Sequence, residues 1–147
     1  MKEYVKILVA DDEPLMRNLI LRILESEGYQ VTLASSGAEA LEHLRKEKFD
    51  ILLSDIKMPD LNGIDLLKNV KASFNDMVVI MMTGYGEAYS IKQALMDGAD
   101  EYITKPFKNQ EISLIVERAY WRLLSSRNSG KPVDQVLISA DSLMTKK

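Results

Sequence analysis

The chain contains no cysteine. That excludes disulfides, thiolate nucleophiles and cysteine-held metals, and it fits a reducing compartment. Basic residues are not in excess: 19 Lys and Arg against 22 Asp and Glu leave a formal net charge of −3 and a pI near 5.3. The segment therefore carries no electrostatic footprint for nucleic acid. Long apolar runs are missing as well. The first one, Val5–Ala10, is interrupted by Lys6 and is too short for a secretory leader or a membrane span. A cytoplasmic protein with no membrane contact is expected. Histidine occurs once, as His43, on the face of a helical stretch turned away from Leu41. It reads as a surface residue rather than a phosphohistidine or a metal ligand.

What remains is ordinary globular material, 46% hydrophobic and 28% charged over 147 residues. That length suits one domain with a full core and not two. Short β-rich runs alternate with helical patterns: Val5–Ala10, Gln30–Ala34, Ile51–Ser54, Val78–Met82 and Glu101–Thr104. The first, third and fourth are almost purely apolar, as central strands of a parallel sheet are. The second and fifth are more polar and suit the edges.

Between them lie helix signals. Leu15, Leu19, Ile20, Ile23 and Leu24 form a stripe, with Pro14 in the first turn and Gly28 past the end. Ser36 and Glu39 are spaced as a capping box for a helix through Lys46. Ile64, Leu67 and Val70 mark a third helix, over Gly63–Ala72. Ile91, Ala94 and Leu95 mark a fourth, stopped at Gly98. Ile112, Ile115, Val116, Ala119 and Leu123 mark a fifth, from Gln110 to Ser125. Strict alternation of this kind predicts an α/β fold: a doubly wound five-stranded parallel sheet with helices on both faces and ligands at the carboxyl edge of the strands. Residues 1–126 form the expected domain. Residues 127–147 follow as a linker rich in Ser, Asn and Gly and a short amphipathic tail, either the end of a stand-alone protein or the start of an output domain.

The polar residues at the ends of the runs carry the chemistry. Asp11 and Asp12 follow the first run, Asp55 the third, Thr83 the fourth, and Lys105-Pro106 the fifth. In a doubly wound fold these converge on one crevice. Carboxylates about 4 Å apart repel by roughly 4 kcal/mol per pair at an effective dielectric near 20, so the cluster calls for a cation and a use for one carboxylate. An acidic pair after a strand also serves as a helix N-cap, and Asp12 is expected to cap the first helix. Alone, Asp55 reads as a turn former and Lys105-Pro106 as a bend.

Together, ILVADDEP, ILLSDIKMPDLNG, VVIMMTGYG and ADEYITKPF resemble the signature segments of the response-regulator receiver domain, over about residues 4 to 125. The resemblance implies a CheY-like, flavodoxin-like sheet of order 2-1-3-4-5. It implies that Asp55 accepts a phosphoryl group from a sensor histidine kinase or a histidine phosphotransfer protein. Mg²⁺ would be held by Asp12, by Asp11 largely through water, by Asp55 and by the backbone carbonyl of Lys57. Lys105 and Thr83 would contact the phosphoryl group, Gly84 would leave room for it, and the Lys105–Pro106 bond would be cis. Thr83 and Tyr102 would form the switch that alters the face of helix 4, strand 5 and helix 5. Tyr102 also reads as a plain packing residue on an edge strand.

Leu114 and Trp121 lie opposite the buried stripe of the fifth helix, which suggests an exposed partner surface, for a homodimer or an output domain, unless the tail covers it. Tyr85, two positions beyond Thr83, is placed to screen an acyl phosphate from water. Two other functions compete with the switch. A metal-dependent phosphohydrolase is disfavoured because Asp55-Ile56-Lys57 lacks a second aspartate. A phosphate-independent binding module is disfavoured by the intact Asp55, Thr83 and Lys105.

Overall fold

A computed structural model describes residues 1–74, 76–84 and 88–127. After a 3₁₀ turn at Lys2–Tyr4, strands and helices alternate as β1 Lys6–Ala10, α1 Pro14–Ser26, β2 Gln30–Ala34, α2 Gly37–Lys46, β3 Ile51–Asp55, α3 Gly63–Ser73, β4 Val78–Thr83, α4 Ala88–Met96, β5 Glu101–Thr104 and α5 Asn109–Arg127. The five strands are parallel and ordered β2-β1-β3-β4-β5. This is the doubly wound, flavodoxin-like arrangement expected, with the two more polar strands at the edges.

Side chains alternate across the sheet and feed two cores. Ile7, Val9, Leu53, Ile80 and Met82 pack with Ile20 and Leu24 of α1 and Val116 of α5. Leu8, Leu52, Val79 and Met81 pack on the other face with Leu44 of α2, Leu67 of α3 and Ala94 of α4. At the amino edge, two aspartates hook neighbouring strands. Asp50 Oδ2 accepts the Lys6 N–H at 2.8 Å. Asp100 Oδ2 accepts the Val79 N–H at 2.8 Å and Lys71 Nζ at 3.0 Å. Glycine ends two helices where the chain takes a left-handed turn, Gly28 at φ +98° and Gly98 at φ +102°.

Several expectations need correction. Leu15 is 85% exposed; Met16 packs against the core in its place, because the first turn of α1 presents Met16 rather than Leu15 to the packed side chains. Leu95 is likewise exposed, leaving Ala94 as the fully buried residue among those of α4 whose burial is described. Asp12 does not cap α1. The N-cap is Glu13, without a side-chain bond, and its N–H is taken by Asp11 Oδ1 at 2.9 Å. The α2 box is shifted on one side: Ser36 Oγ accepts from Glu39 N at 3.1 Å, while the Glu39 carboxylate reaches back to Ser35. His43 is half-buried beside Glu39 rather than fully solvated. The amphipathic tail and Tyr85 lie outside the described residues.

Candidate functional site: an acidic cluster at the carboxyl edge

Asp55 and Thr83 are the last residues of β3 and β4, so their side chains stand at the rim of the sheet. Asp11 follows β1 directly, and Lys105 follows β5. Parallel pairing in register brings these four chain ends together, although 94 positions separate Asp11 from Lys105. Lys105 Nζ lies 2.8 Å from Asp11 Oδ2 and 2.9 Å from Asp55 Oδ2, bridging the two carboxylates. Asp11 and Thr83 are fully buried, Asp55 is nearly so, and Asp12 is exposed.

This geometry sets the electrostatics. Burial pushes the Asp55 carboxyl above its usual range and the neighbouring Asp11 adds to the effect, while the bond and charge of Lys105 oppose it. Burial alone would lower the Lys105 ammonium, but its hydrogen bonds to Asp11 and Asp55 outweigh burial and hold it above the ordinary lysine range. The Asp55 shift is thus set by burial and the Lys105 shift by the contact, in a partly desolvated place.

Three acidic side chains, Asp11, Asp12 and Asp55, each offer an oxygen within 4.8 Å of the others. Together with Lys57, Gly84, Glu13 and Lys105, Asp12 and Asp55 border an open hollow of about 280 Å³. An all-oxygen, carboxylate-rich donor set with room for water suits a small hard cation such as Mg²⁺. The Lys57 N–H points at Asp55 Oδ1 at 3.4 Å. Thr83 Oγ1 is buried and has no hydrogen-bond partner among the described residues. A buried hydroxyl left so costs about 1–3 kcal/mol.

The remaining expected residues separate into those at the site and those away from it. The Lys105–Pro106 bond is cis. Gly84 is half-exposed at the hollow. Tyr102 is 42% exposed on β5, whereas Thr83 is fully buried. Leu114 is 62% exposed and, with Tyr102, lines a shallow groove between β5 and α5. Trp121 does not join it. The indole is half-buried in a separate hollow at the amino edge, beside Lys71, Asp100 and Arg122.

One site residue was not singled out from the sequence. A Cβ at Gly63 would stand 2.2 Å from the Asp55 carbonyl oxygen and 2.7 Å from Ile56 Cα. Gly63 therefore lets the start of α3 press against the strand end that carries Asp55. The Asn62 side chain caps α3 by accepting from Asp65 N at 2.9 Å. An Asn-Gly helix start signals that cap, but nothing local signals the close approach.

The fold and the rim cluster define a doubly wound α/β protein with three carboxylates and a lysine gathered at the carboxyl edge. Residues 7–117 match the family described as the response regulator receiver domain. The chain belongs to that family, which serves two-component signalling. It is 38% identical over 113 residues to Sporulation initiation phosphotransferase F of Bacillus subtilis, covering 77% of this chain and 91% of that protein. Transcriptional regulatory protein ZraR of Klebsiella oxytoca is 35% identical over 142 residues, which covers 95% of this chain but 32% of the relative. The chain thus spans about a third of that longer regulator. A solved receiver domain from Clostridium thermocellum superposes with a TM-score of 0.76 at 37% identity, over 80% of this chain and 95% of that one. No described helix is long and apolar enough to cross a membrane.

Proposed function

We propose that the chain is a phosphoacceptor switch in which Asp55 takes a phosphoryl group from a sensor histidine kinase or a histidine phosphotransfer protein. The observation that carries this reading is the combination at one rim of a nearly buried Asp55, a lysine bridged to it, and a buried Thr83 hydroxyl without a partner. An Asp55 carboxylate oxygen bonds to phosphorus as the P–N bond of a phosphohistidine breaks. The electron pair leaves with the imidazole nitrogen, which takes up a proton. Such a transfer needs in-line placement and neutralised oxygens more than covalent help.

The side chains divide that work. Lys105 holds Asp55 in place before transfer and presents an ammonium to the phosphoryl oxygens afterwards. Thr83 then donates its hydroxyl to one of those oxygens, and Gly84 leaves space beside it. Asp11, Asp12 and Asp55, with the Lys57 carbonyl, would hold Mg²⁺. When bound, that ion offsets the carboxylate repulsion and neutralises charge on the phosphoryl oxygens.

The response of Thr83 draws Tyr102 inward and remodels the α4-β5-α5 face. Tyr102 and Leu114 are exposed there and would meet an output partner or a second copy. Moving such an equilibrium from 1:99 to 99:1 takes about 5.5 kcal/mol of differential interaction. Residues 1–126 form the receiver unit in a cytoplasmic protein, and 127–147 its linker and tail. The chain catalyses its own phosphorylation and slow loss of the group, and turns over no separate substrate.

Incubation with acetyl phosphate and Mg²⁺, followed by intact mass, tests this. A single HPO₃ increment that is lost in Asp55→Asn is expected. Multiple turnover without labelling would favour a phosphohydrolase, and no reaction would favour a phosphate-independent binding module.

A further inference from the structure

Asp11 is gripped at each of its polar atoms. Its N–H donates to the Ala34 carbonyl at 3.1 Å. Oδ1 accepts the Glu13 N–H at 2.9 Å and Oδ2 accepts Lys105 Nζ at 2.8 Å. Its carbonyl oxygen accepts Nη1 of Arg17, also at 2.8 Å. The neighbouring Asp12 is the opposite case. It is exposed, and its side chain makes no hydrogen bond among the described residues. Yet its oxygen stands within 4.8 Å of those of Asp11 and Asp55. The Asp12 carboxylate is therefore aimed by the backbone alone, through the peptide that joins Asp11 to Asp12.

The oxygen of that peptide is the one Arg17 holds. We propose that Arg17 is a positioning residue for the cation site: its guanidinium fixes the plane of the 11–12 peptide and so fixes where the Asp12 carboxylate stands. The inference rests on the phosphoacceptor reading above, and it assigns a role to a side chain that touches neither cation nor phosphoryl group.

Three further observations support it. Arg17 lies in the first turn of α1, its N–H making the 3.0 Å bond to the Glu13 carbonyl. A positive side chain there opposes the helix dipole, so helix stability does not account for an arginine at this place. The guanidinium also feels the charge of Glu39 at the start of α2. The Glu39 carboxyl is held below its usual range by hydrogen bonds from Ser35, with His43 and Arg17 adding electrostatic attraction. Finally, arginine presents several donors on a rigid plane, which suits one side chain to holding the Asp11 carbonyl in a fixed orientation. The result is a tie from the first turn of α1, through Arg17, to the loop that carries both acidic residues.

Binding of Mn²⁺ as a paramagnetic stand-in for Mg²⁺, read from the free-ion signal in electron paramagnetic resonance, tests the proposal in the full chain. Groups that orient metal ligands from behind are worth about 10–100-fold in affinity. Arg17→Met is expected to weaken Mn²⁺ binding about 10-fold, and Arg17→Lys, which restores one donor and the charge, is expected to recover part of that loss. At saturating Mg²⁺ the extent and rate of acetyl phosphate labelling of Arg17→Met should return to those of the parent, because Arg17 touches no reacting atom. Thermal unfolding without divalent cation shows whether the variants fold, and Arg17→Gln serves where Arg17→Met does not. Equal Mn²⁺ affinity in the parent and a folded variant would overturn the inference alone, as would a labelling defect that excess Mg²⁺ leaves in place. Absence of a Mn²⁺ site sensitive to Asp55→Asn in the parent would overturn the proposed function and this inference with it.

Discussion

Lys105 Nζ stands between Asp11 Oδ2 and Asp55 Oδ2, 2.8 Å from one and 2.9 Å from the other. One ammonium compensates two carboxylates in a largely buried place, since the side chains are 16%, 0% and 11% exposed. Removing one partner of a buried ionic contact typically costs about 3–5 kcal/mol. Lys105→Met should therefore lose roughly 3 kcal/mol of unfolding free energy in urea without divalent cation, and Mg²⁺ should restore a larger share of stability to the variant than it adds to the parent. Equal Mg²⁺ effects on the two would contradict a cation site at these carboxylates.

The pH dependence follows from the same contact. Burial holds the folded Asp55 pKa above its ordinary 3.8. Between that value and the higher folded one, the folded chain binds more protons than the unfolded chain, so the Asp55 contribution to stability falls as pH rises through the window. Asp55→Asn removes this liability. Its unfolding midpoint should gain on the parent from about pH 3.8 towards neutrality. Lys105 adds a second decline in the same direction at higher pH: raised above 10.5, it contributes stability in full below that pH and loses it as pH climbs through its folded value. A parent that gains on Asp55→Asn with rising pH would show that the carboxylate stabilises the resting fold.

Thr83 offers a separation of stability from response. Its hydroxyl is buried and unpartnered, so Thr83→Val should leave the resting protein equally stable or gain up to about 1 kcal/mol. The variant should still label at Asp55, while amide chemical shifts on β5 and α5 fail to follow labelling as they do in the parent. Unchanged shifts relative to phosphorylated parent would remove Thr83 from the relay.

Gly63→Ala would drive a methyl group against the Asp55 carbonyl, at 2.2 Å in the undistorted backbone. Overpacking of this kind costs typically about 1–3 kcal/mol. Because the obstructed atom belongs to the acceptor residue, the labelling rate should drop along with the urea midpoint. A slower rate is the informative part: a loss of stability alone would make Gly63 a packing residue and nothing more.

Leu15→Glu tests how the first helix was read. At 85% exposure the substitution should shift stability by no more than about 0.5 kcal/mol, measured by the same urea titration. A larger loss would place Leu15 in the core after all.

The contrast between Leu15 and Ile20 shows where sequence reasoning reached its limit. Both sit on one helical stripe, and period alone makes them equals. Only the tertiary packing decides that Ile20 is covered and Leu15 is left to solvent. Trp121 fails for the complementary reason. Opposite the buried stripe it reads as exposed, but the turn at 76–78 and Asp100 rise beside α5 and half cover it. By contrast, the strands were readable because a parallel sheet buried on both faces demands continuous apolar runs, and Asp11, Asp55, Thr83 and Lys105 were readable because strand ends are where such a sheet exposes chemistry. The grip of Arg17 on Asp11 and the pressure of Gly63 on Asp55 were not. Each depends on one backbone oxygen, and no residue pattern records the direction in which a carbonyl points.

Asp50 and Asp100 clasp the opposite border of the sheet, each tying the start of one strand to the next. Strands fastened at their beginnings cannot relieve a new charge at their far ends by sliding past one another. In the proposed switch, the strain of accommodating an added anion would thereby fall on the free rim and the loops and helices that hang from it, as load on a clamped beam bends its unsupported end.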